Sequence, residues 1–248
     1  MAPPYYTAQT DRTQEEDMGE IIKVPEHLEL RYRTCLKQVS IGKWTDLSIL
    51  AVQDPDVLID GLDPDEFQED ERLPYWAEIW PSAIGLGMHL FEHPADLKNP
   101  VLELGCGTGV AGLAAARAGL TVHASDYEED ALAFAAHNAR INDVSERMIF
   151  RHLDWRKPAL SDRYALLFGS DIVYERPDHE PIMALLERML VPGGTFLLSD
   201  PNRRPAVPFV EAMIDRGYRH TPQSRRIRYD GTVSKITVHR FKKPGTQL

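Results

Sequence analysis

The stretch Val101-Leu-Glu-Leu-Gly-Cys-Gly-Thr-Gly109 places a short apolar run directly before three glycines at alternate positions. Glycine lacks a Cβ atom, so the chain can turn tightly there and bring its backbone amides close to a ligand. Alanine-rich residues 110–118 follow, and Gly119 ends that run. Because a helix N-terminus presents unpaired amides, the stretch predicts a buried strand, a ligand-binding turn and a helix.

Strand-like and helix-like segments alternate after this turn, which indicates βαβ units and a mostly parallel sheet. Asp230-Gly231 near the end is a strong signal for an antiparallel hairpin. We therefore predict an α/β, Rossmann-like sheet of seven strands with helices on both faces. The predicted strands are 101–104, 121–125, 148–153, 165–169, 195–199, 225–229 and 233–240, and the predicted helices are 81–91, 110–118, 129–140 and 181–190.

The N-terminal part of the chain has a different pattern. Residues 1–20 lack an apolar period and predict a mobile tail, whereas 34–41 and 47–52 predict a small β element. An acidic connector over 63–72 follows. We predict two parts, an N-terminal segment over 1–72 and the main α/β domain over 73–248.

Charge and composition exclude several classes of protein. The net charge is −10, and residues 1–74 carry 17 acidic and 7 basic side chains, whereas 21 of each follow. Nucleic-acid binding needs clustered positive charge, so we expect no nucleic-acid partner. The chain has no apolar run of about 18 residues and no signal-peptide pattern, which predicts no membrane span and a cytoplasmic location. Cys35 and Cys106 fit a reducing compartment.

The glycine spacing distinguishes between two kinds of nucleotide site. A dinucleotide fingerprint G-x-G-x-x-G would require glycine where Val110 stands. The pattern G-x-G-x-G, with Glu103 two positions before its first glycine, resembles instead the first motif of class I methyltransferases, whose fold has seven strands. Gly105, Gly107 and Gly109 are then candidates for cofactor binding.

Polar side chains follow three further predicted strands. Asp126 ends the second strand, where a carboxylate can accept both hydroxyl hydrogens of a ribose, although it could also cap the next helix. Asp154 and Trp155 follow the third strand and could form an adenine pocket, or a capping aspartate beside a core tryptophan. Ser170 and the Asp171-Ile-Val-Tyr174 segment follow the fourth strand, at the edge of the sheet where ligands bind.

Together with Trp76-Ala-Glu-Ile-Trp80-Pro-Ser-Ala83, these segments resemble the family 16 methyltransferases, many of which methylate protein lysines. The resemblance covers residues 73–241 and implies S-adenosylmethionine as cofactor. It also implies site residues by matching position. These are Trp80, Glu103, Gly105, Gly107, Asp126 and Trp155 for the cofactor, and Asp171 and Tyr174 near the methyl acceptor.

The function expected from these observations is methyl transfer to nitrogen, with a protein lysine as acceptor. Methylation of a small amine or heterocycle, and cofactor binding without catalysis, are alternatives that the sequence leaves open. Asp171 is the candidate for orienting the acceptor and Tyr174 for closing its pocket. Adjacent side chains on a helix diverge, so Asp178-His179-Glu180 predicts a helix start, and we expect no metal site.

Overall fold

A seven-stranded sheet forms the centre of the protein, whose computed structural model describes residues 25–60, 74–94, 98–159 and 161–245. The predicted tail (1–20), the connector (63–72) and the predicted boundary at residue 72 lie outside these ranges. A separate two-stranded hairpin precedes the sheet. The strands are β1 (Thr34–Ile41), β2 (Thr45–Val52), β3 (Val101–Leu104), β4 (Val122–Asp126), β5 (Met148–His152), β6 (Tyr164–Ser170), β7 (Leu190–Asp200), β8 (Arg219–Tyr229) and β9 (Thr232–Lys242).

The strand order in the sheet is β5-β4-β3-β6-β7-β9-β8. Strands β3 to β7 pair in parallel, and β9 pairs antiparallel with both β7 and β8. Strand β3 lies between β4 and β6, so the chain runs outward on one side of β3 and later on the other. Such a switch in direction opens a crevice at the carboxyl ends of the strands. The predicted fold class is confirmed.

Helices cover both faces of the sheet. Within the described ranges the helices are α1 (Glu26–Glu29), α2 (Asp56–Asp60), α3 (Pro81–Glu92), α4 (Val110–Arg117), α5 (Glu129–Ile141), α6 (His179–Met189) and α7 (Ala206–Asp215), and the last five pack on the sheet. Val101 of β3 packs in the core beside α3, α4 and α5, whereas Leu102 and Leu104 pack with α6 and α7. Because successive side chains of a strand point to opposite faces, both faces of this central strand are buried. No helix within the described ranges combines the length and apolar character that crossing a lipid bilayer requires.

Two local predictions differ from the structure. Residues 191–194, which predicted a turn after a helix, belong to β7, because Leu190 already pairs with Tyr164 and the strand continues from there. Helix α7 was not predicted, since Pro205 and Pro208 obscure its pattern. Proline is tolerated in a first helical turn, and Phe209 and Met213 bury one face of the helix.

The N-terminal hairpin packs against the helices of the sheet domain. Val39, Ile41, Leu47 and Ile49 are fully buried and share one core cluster with residues of α3 and α4. The edge of β2 binds a side chain of α5. Leu50 N–H donates to Asn138 Oδ1 at 2.8 Å, and Asn138 Nδ2 donates to the Leu50 carbonyl at 3.0 Å.

A second contact, made by Asn142 directly after the end of α5, repeats this pattern. Ser48 N–H donates to Asn142 Oδ1 at 3.0 Å, and Asn142 Nδ2 donates to the Ser48 carbonyl at 2.7 Å. The two asparagines therefore bond to the edge of β2 much as a neighbouring strand would. Asn138 Nδ2 also donates to the Thr108 carbonyl at 2.9 Å, which connects the hairpin to the glycine turn.

Candidate active site

A cavity of about 620 Å³ opens at the carboxyl ends of β3, β4 and β6. This volume lies within the range of roughly 300–1,000 Å³ that is usual for small-molecule sites. The structure brings nine of the eleven predicted site residues to its wall. They are Trp80, Gly105, Gly107, Asp126, Asp154, Trp155, Ser170, Asp171 and Tyr174.

The glycine turn forms one wall of the cavity in a backbone conformation that disfavours other residues. Gly105, Gly107 and Gly109 have φ angles of +64°, +52° and +92°. A Cβ atom on Gly107 would lie 3.0 Å from the Trp76 carbonyl oxygen, and one on Gly105 would lie 2.8 Å from Ile172. Gly109 packs instead against Ala135 of α5, so it shapes the turn without lining the cavity.

Glu103 lies beneath the turn, outside the cavity wall. Its side chain is buried and its Oε1 accepts a hydrogen bond from Gly112 N–H at 3.0 Å, in the first turns of α4. Burial raises the pKa of this carboxyl well above its usual range, although the Gly112 amide opposes the shift. The structure therefore assigns Glu103 to holding the turn and the helix together, which is an indirect contribution to a cofactor site.

Asp126 connects the glycine turn to the end of β4. Its Oδ2 accepts from Gly107 N–H at 2.8 Å, and its Oδ1 accepts from Glu128 N–H at 3.0 Å. Burial raises the pKa of the carboxyl, and these backbone amides oppose the shift. Each carboxylate oxygen can accept a further hydrogen bond, so Asp126 can hold the turn and still bind a ribose.

The adenine end of the predicted site contains Asp154 and Trp155. Both line the cavity, and Asp154 Oδ1 accepts from Arg156 N–H at 2.8 Å within the turn that follows β5. The indole Nε1 of Trp155 is buried and has no hydrogen-bond partner in the described parts of the chain. A flat indole that lines the cavity beside a glycine turn fits the ring of an adenosine.

The opposite end of the cavity contains an ion pair that the sequence did not predict. Asp171 has a φ angle of +56° and is buried, and its two oxygens accept from Arg203 Nε and a terminal guanidinium nitrogen at 2.9 and 3.0 Å. The hydrogen bonds that Arg203 donates to Asp171 raise the pKa of Arg203. The guanidinium also lies 5.1 Å from the ring centre of Trp80, a cation–π distance.

Aromatic rings surround this end of the cavity. Tyr75 makes edge-to-face contacts with Trp80 and Tyr174, with ring centres 6.1 and 5.4 Å apart. Trp80 Nε1 donates to the Tyr75 carbonyl at 3.0 Å. Burial, followed by the charge of Glu175, raises the pKa of Tyr174, so its phenol stays protonated. The result is a pocket in which aromatic rings surround an ion pair.

Three residues at this end of the cavity were not predicted from the sequence. Tyr75 and Glu78 lie in the 75–80 segment, and no spacing rule distinguished them from its core residues. Arg203 follows β7, and the rule that ligands bind beyond the carboxyl ends of strands would have indicated it.

The Asp178-His179-Glu180 segment is a helix start, as expected. Asp178 pairs with Arg156 at 2.6 Å and the His179 ring bonds to the Val173 carbonyl at 3.0 Å.

Solved structures with this fold include a methyltransferase and a cyclase. An S-adenosylmethionine-dependent methyltransferase from Methanosarcina mazei superimposes with a TM-score of 0.51 at 14% identity, over 61% of this chain and 96% of that one. The [4+2]-cyclase SpnF superimposes with a TM-score of 0.53 at 15% identity, over 66% of this chain and 81% of that one. Because a cyclase shares it, the likeness defines the fold class alone: a Rossmann-like methyltransferase fold.

Residues 64–213 match the family described as lysine methyltransferase, and the chain belongs to that family. It is 34% identical over 142 residues to the protein N-lysine methyltransferase METTL21A of Danio rerio, covering 53% of this chain and 63% of that protein. It is 30% identical over 137 residues to the electron transfer flavoprotein beta subunit lysine methyltransferase of Xenopus laevis, covering 52% and 53%.

A further relative, the human histone-arginine methyltransferase METTL23, is 29% identical over 115 residues, covering 44% of this chain and 60% of that protein. In all three comparisons the match spans less than two thirds of the relative's length.

Proposed function

We propose that this protein transfers a methyl group from S-adenosylmethionine to the side-chain nitrogen of a protein lysine. The observation that carries the proposal is that one cavity joins two chemically different ends. The glycine turn and Asp126 lie at one end, and Tyr75, Asp171 and Tyr174 lie at the other. Membership of the lysine methyltransferase family supports the reaction, and two of the named relatives act on protein lysines.

At the cofactor end, the residues present fit an adenosine. Gly105 and Gly107 line the cavity with their backbone, Asp126 offers carboxylate oxygens to a ribose, and Trp155 offers a ring face. The bound cofactor supplies an electrophilic methyl group on a sulfonium, which is already a good leaving group. The protein therefore contributes mainly alignment, as in other reactions accelerated by holding reactants at near-attack distance.

At the acceptor end, the protein must present an uncharged amine. A lysine in water has a pKa of about 10.4, so its ammonium must lose a proton before the lone pair can attack. Removal from water among the Tyr75, Trp80 and Tyr174 rings favours the neutral form. In our proposal Asp171 holds Arg203 against Trp80 instead of orienting the acceptor directly, as the sequence had predicted, and Tyr174 closes the pocket.

The experiment that tests this proposal is label transfer from tritiated S-adenosylmethionine. The purified protein is incubated with whole-cell protein or with a metabolite extract from cells lacking its gene. We expect label in protein, and methyl-lysine after acid hydrolysis. Methyl-arginine in the hydrolysate would identify arginine as the acceptor instead. Label in the metabolite extract alone would favour a small-molecule enzyme, and cofactor binding without any transfer would indicate a binding module.

We also propose that the acceptor is not a nucleic acid and that the protein acts in the cytoplasm. The net charge of −10 supports the first point, because polyanion binding needs clustered cations. Cys35 and Cys106 are both unpaired thiols, which suits a reducing compartment. Cell fractionation followed by immunoblotting would test the location, and ribonuclease treatment of the extract before labelling would test the acceptor.

A further inference from the structure

Glu78 lines the cavity close to the aromatic end. It follows the short helical turn Tyr75–Ala77, has an extended backbone and is half-buried. The charged groups that act on it most are Asp56, Lys37, Arg203 and Asp171. Burial raises the pKa of its carboxyl, followed by the charge of Asp56, whereas Lys37 and Arg203 oppose the shift.

The other carboxylates of the cavity wall already have partners. Asp126 accepts from two backbone amides, Asp171 is neutralised by Arg203, and Asp178 is paired with Arg156. Glu128, Asp154 and Glu175 also have interactions within the protein. Within the described ranges, Glu78 is the one carboxylate of the wall that forms no hydrogen bond and no ion pair. A partly desolvated carboxylate without a partner is available for a cationic or N–H donor ligand.

The surroundings of Glu78 suit an alkylammonium group. Tyr75 stands edge-on to both Trp80 and Tyr174, so aromatic rings form the neighbouring wall. Aromatic faces attract cations, and the Arg203 guanidinium already occupies such a position over Trp80. Aliphatic carbons of a long side chain can pack against these rings, while its terminal nitrogen reaches a carboxylate.

We propose that Glu78 and Tyr75 form the subsite for the acceptor, and that this subsite takes a primary alkylammonium group such as the end of a lysine side chain. The inference rests on the proposed function and assigns nitrogen contact to Glu78, since Asp171 is committed to Arg203. Glu78 accepts a hydrogen bond from the nitrogen and fixes the direction of its lone pair. The ammonium first loses a proton to solvent; its nitrogen lone pair then forms the new carbon–nitrogen bond as the carbon–sulfur bond breaks, and the electron pair of that bond stays on sulfur.

The binding test uses protein saturated with S-adenosylhomocysteine and two matched probes. N-acetyl-lysine methylamide carries the ammonium, and N-acetyl-norleucine methylamide lacks it. By NMR titration, we expect the wild type to prefer the lysine probe about tenfold or more, the size of one charge-assisted hydrogen bond. Glu78→Gln should abolish this preference, and Glu78→Asp should restore part of it.

The matched control is Glu146→Gln, an exposed glutamate that does not line the cavity and should leave the preference unchanged. The proposal is overturned if Glu78→Gln keeps the preference, or if the wild type binds the two probes equally or binds neither. Because Glu78 is half-buried, the affinity of each variant for S-adenosylhomocysteine verifies that the site is folded.

Label transfer separates failure of this subsite from failure of the proposed function. We expect Glu78→Gln to label protein at least tenfold more slowly than the wild type with unchanged cofactor affinity. If the wild type labels no protein, the proposed function fails, while an ammonium preference that Glu78→Gln removes would still support the subsite. If Glu78→Gln labels protein at the wild-type rate, the subsite is wrong and the proposed function stands.

Discussion

Asp171 and Arg203 form a two-point ion pair at the aromatic end of the cavity, with nitrogen–oxygen distances of 2.9 and 3.0 Å. The Asp171 side chain is 4% exposed and the Arg203 side chain 38%. The carboxylate is therefore buried, and its counter-ion reaches solvent. This asymmetry leads to the first prediction.

We expect Arg203→Gln to destabilise the protein more than Asp171→Asn. Losing the cation leaves a buried carboxylate without its charged partner, which costs about 3–5 kcal/mol in a fully buried pair and less here because Arg203 is partly solvated. Asparagine tolerates the positive φ of Asp171, so Asp171→Asn removes charge without backbone strain. Urea unfolding of both variants and of the double variant measures the coupling, and equal losses would contradict the prediction.

Gly107 of the glycine turn can be compared with Gly119, which follows α4 and also has a positive φ angle. Gly107→Ala introduces both strain and a contact with the Trp76 carbonyl at 3.0 Å, whereas Gly119→Ala, at φ +97°, introduces strain alone because the space around it is open. A left-handed non-glycine residue costs roughly 1–2 kcal/mol. We expect both variants to lose stability, and only Gly107→Ala to lose cofactor affinity by about tenfold or more. Calorimetric titration with S-adenosylhomocysteine measures this, and parallel losses in both would refute it.

Asn138 is expected to couple the N-terminal hairpin to the glycine turn. Asn138→Ala removes two hydrogen bonds to Leu50 and one to Thr108, and leaves buried backbone groups unsatisfied at about 1–3 kcal/mol each. Hydrogen exchange should accelerate in β2 and in the turn.

Asn142→Ala is the matched control for this prediction. Asn142 bonds to the backbone of Ser48 and Asn138 but not to the turn, so exchange should accelerate in β2 alone. Unchanged exchange at residues 105–109 in the Asn138 variant would argue against the coupling.

We expect Asp200 to make the free energy of unfolding depend on pH. Burial raises the pKa of its carboxyl to about 6, against about 3.9 in an unfolded chain. The folded state thus holds this proton more tightly, so the contribution of Asp200 to stability falls as the pH rises from about 4 to 6 and is constant above. Asp200→Asn can keep the bond from Arg203 N–H, at 2.8 Å, and removes the buried charge.

We expect Asp200→Asn to raise the Tm at pH 8, by roughly 2–4 °C for each kcal/mol gained, and to change it little at pH 4. Thermal unfolding followed by circular dichroism at the two pH values measures the difference. A gain at pH 4 that equals the gain at pH 8 would exclude the ionisation of Asp200 as its cause.

Much of the fold could be predicted because its signals are local. Val101–Leu104 has the length and apolar character of a strand, the three glycines over 105–109 favour a turn, and Asp230-Gly231 favours a hairpin. Helix α7 escaped prediction because prolines stood near its start, and the extension of β7 depends on pairing with a strand more than 20 residues away. Local patterns carry no information about such partners.

The sequence by itself determined the α/β class and brought Asp126, Trp155, Asp171 and Tyr174 to one cavity, because the carboxyl ends of parallel strands converge wherever strand and helix alternate. Only the tertiary structure decided what those side chains do there. Asp171 is neutralised by a residue 32 positions away, and Asn138 binds a strand 88 positions away. Partner and burial, which set the charge and reach of each group, are properties of neighbours in space, and residue type and spacing along the chain do not specify them.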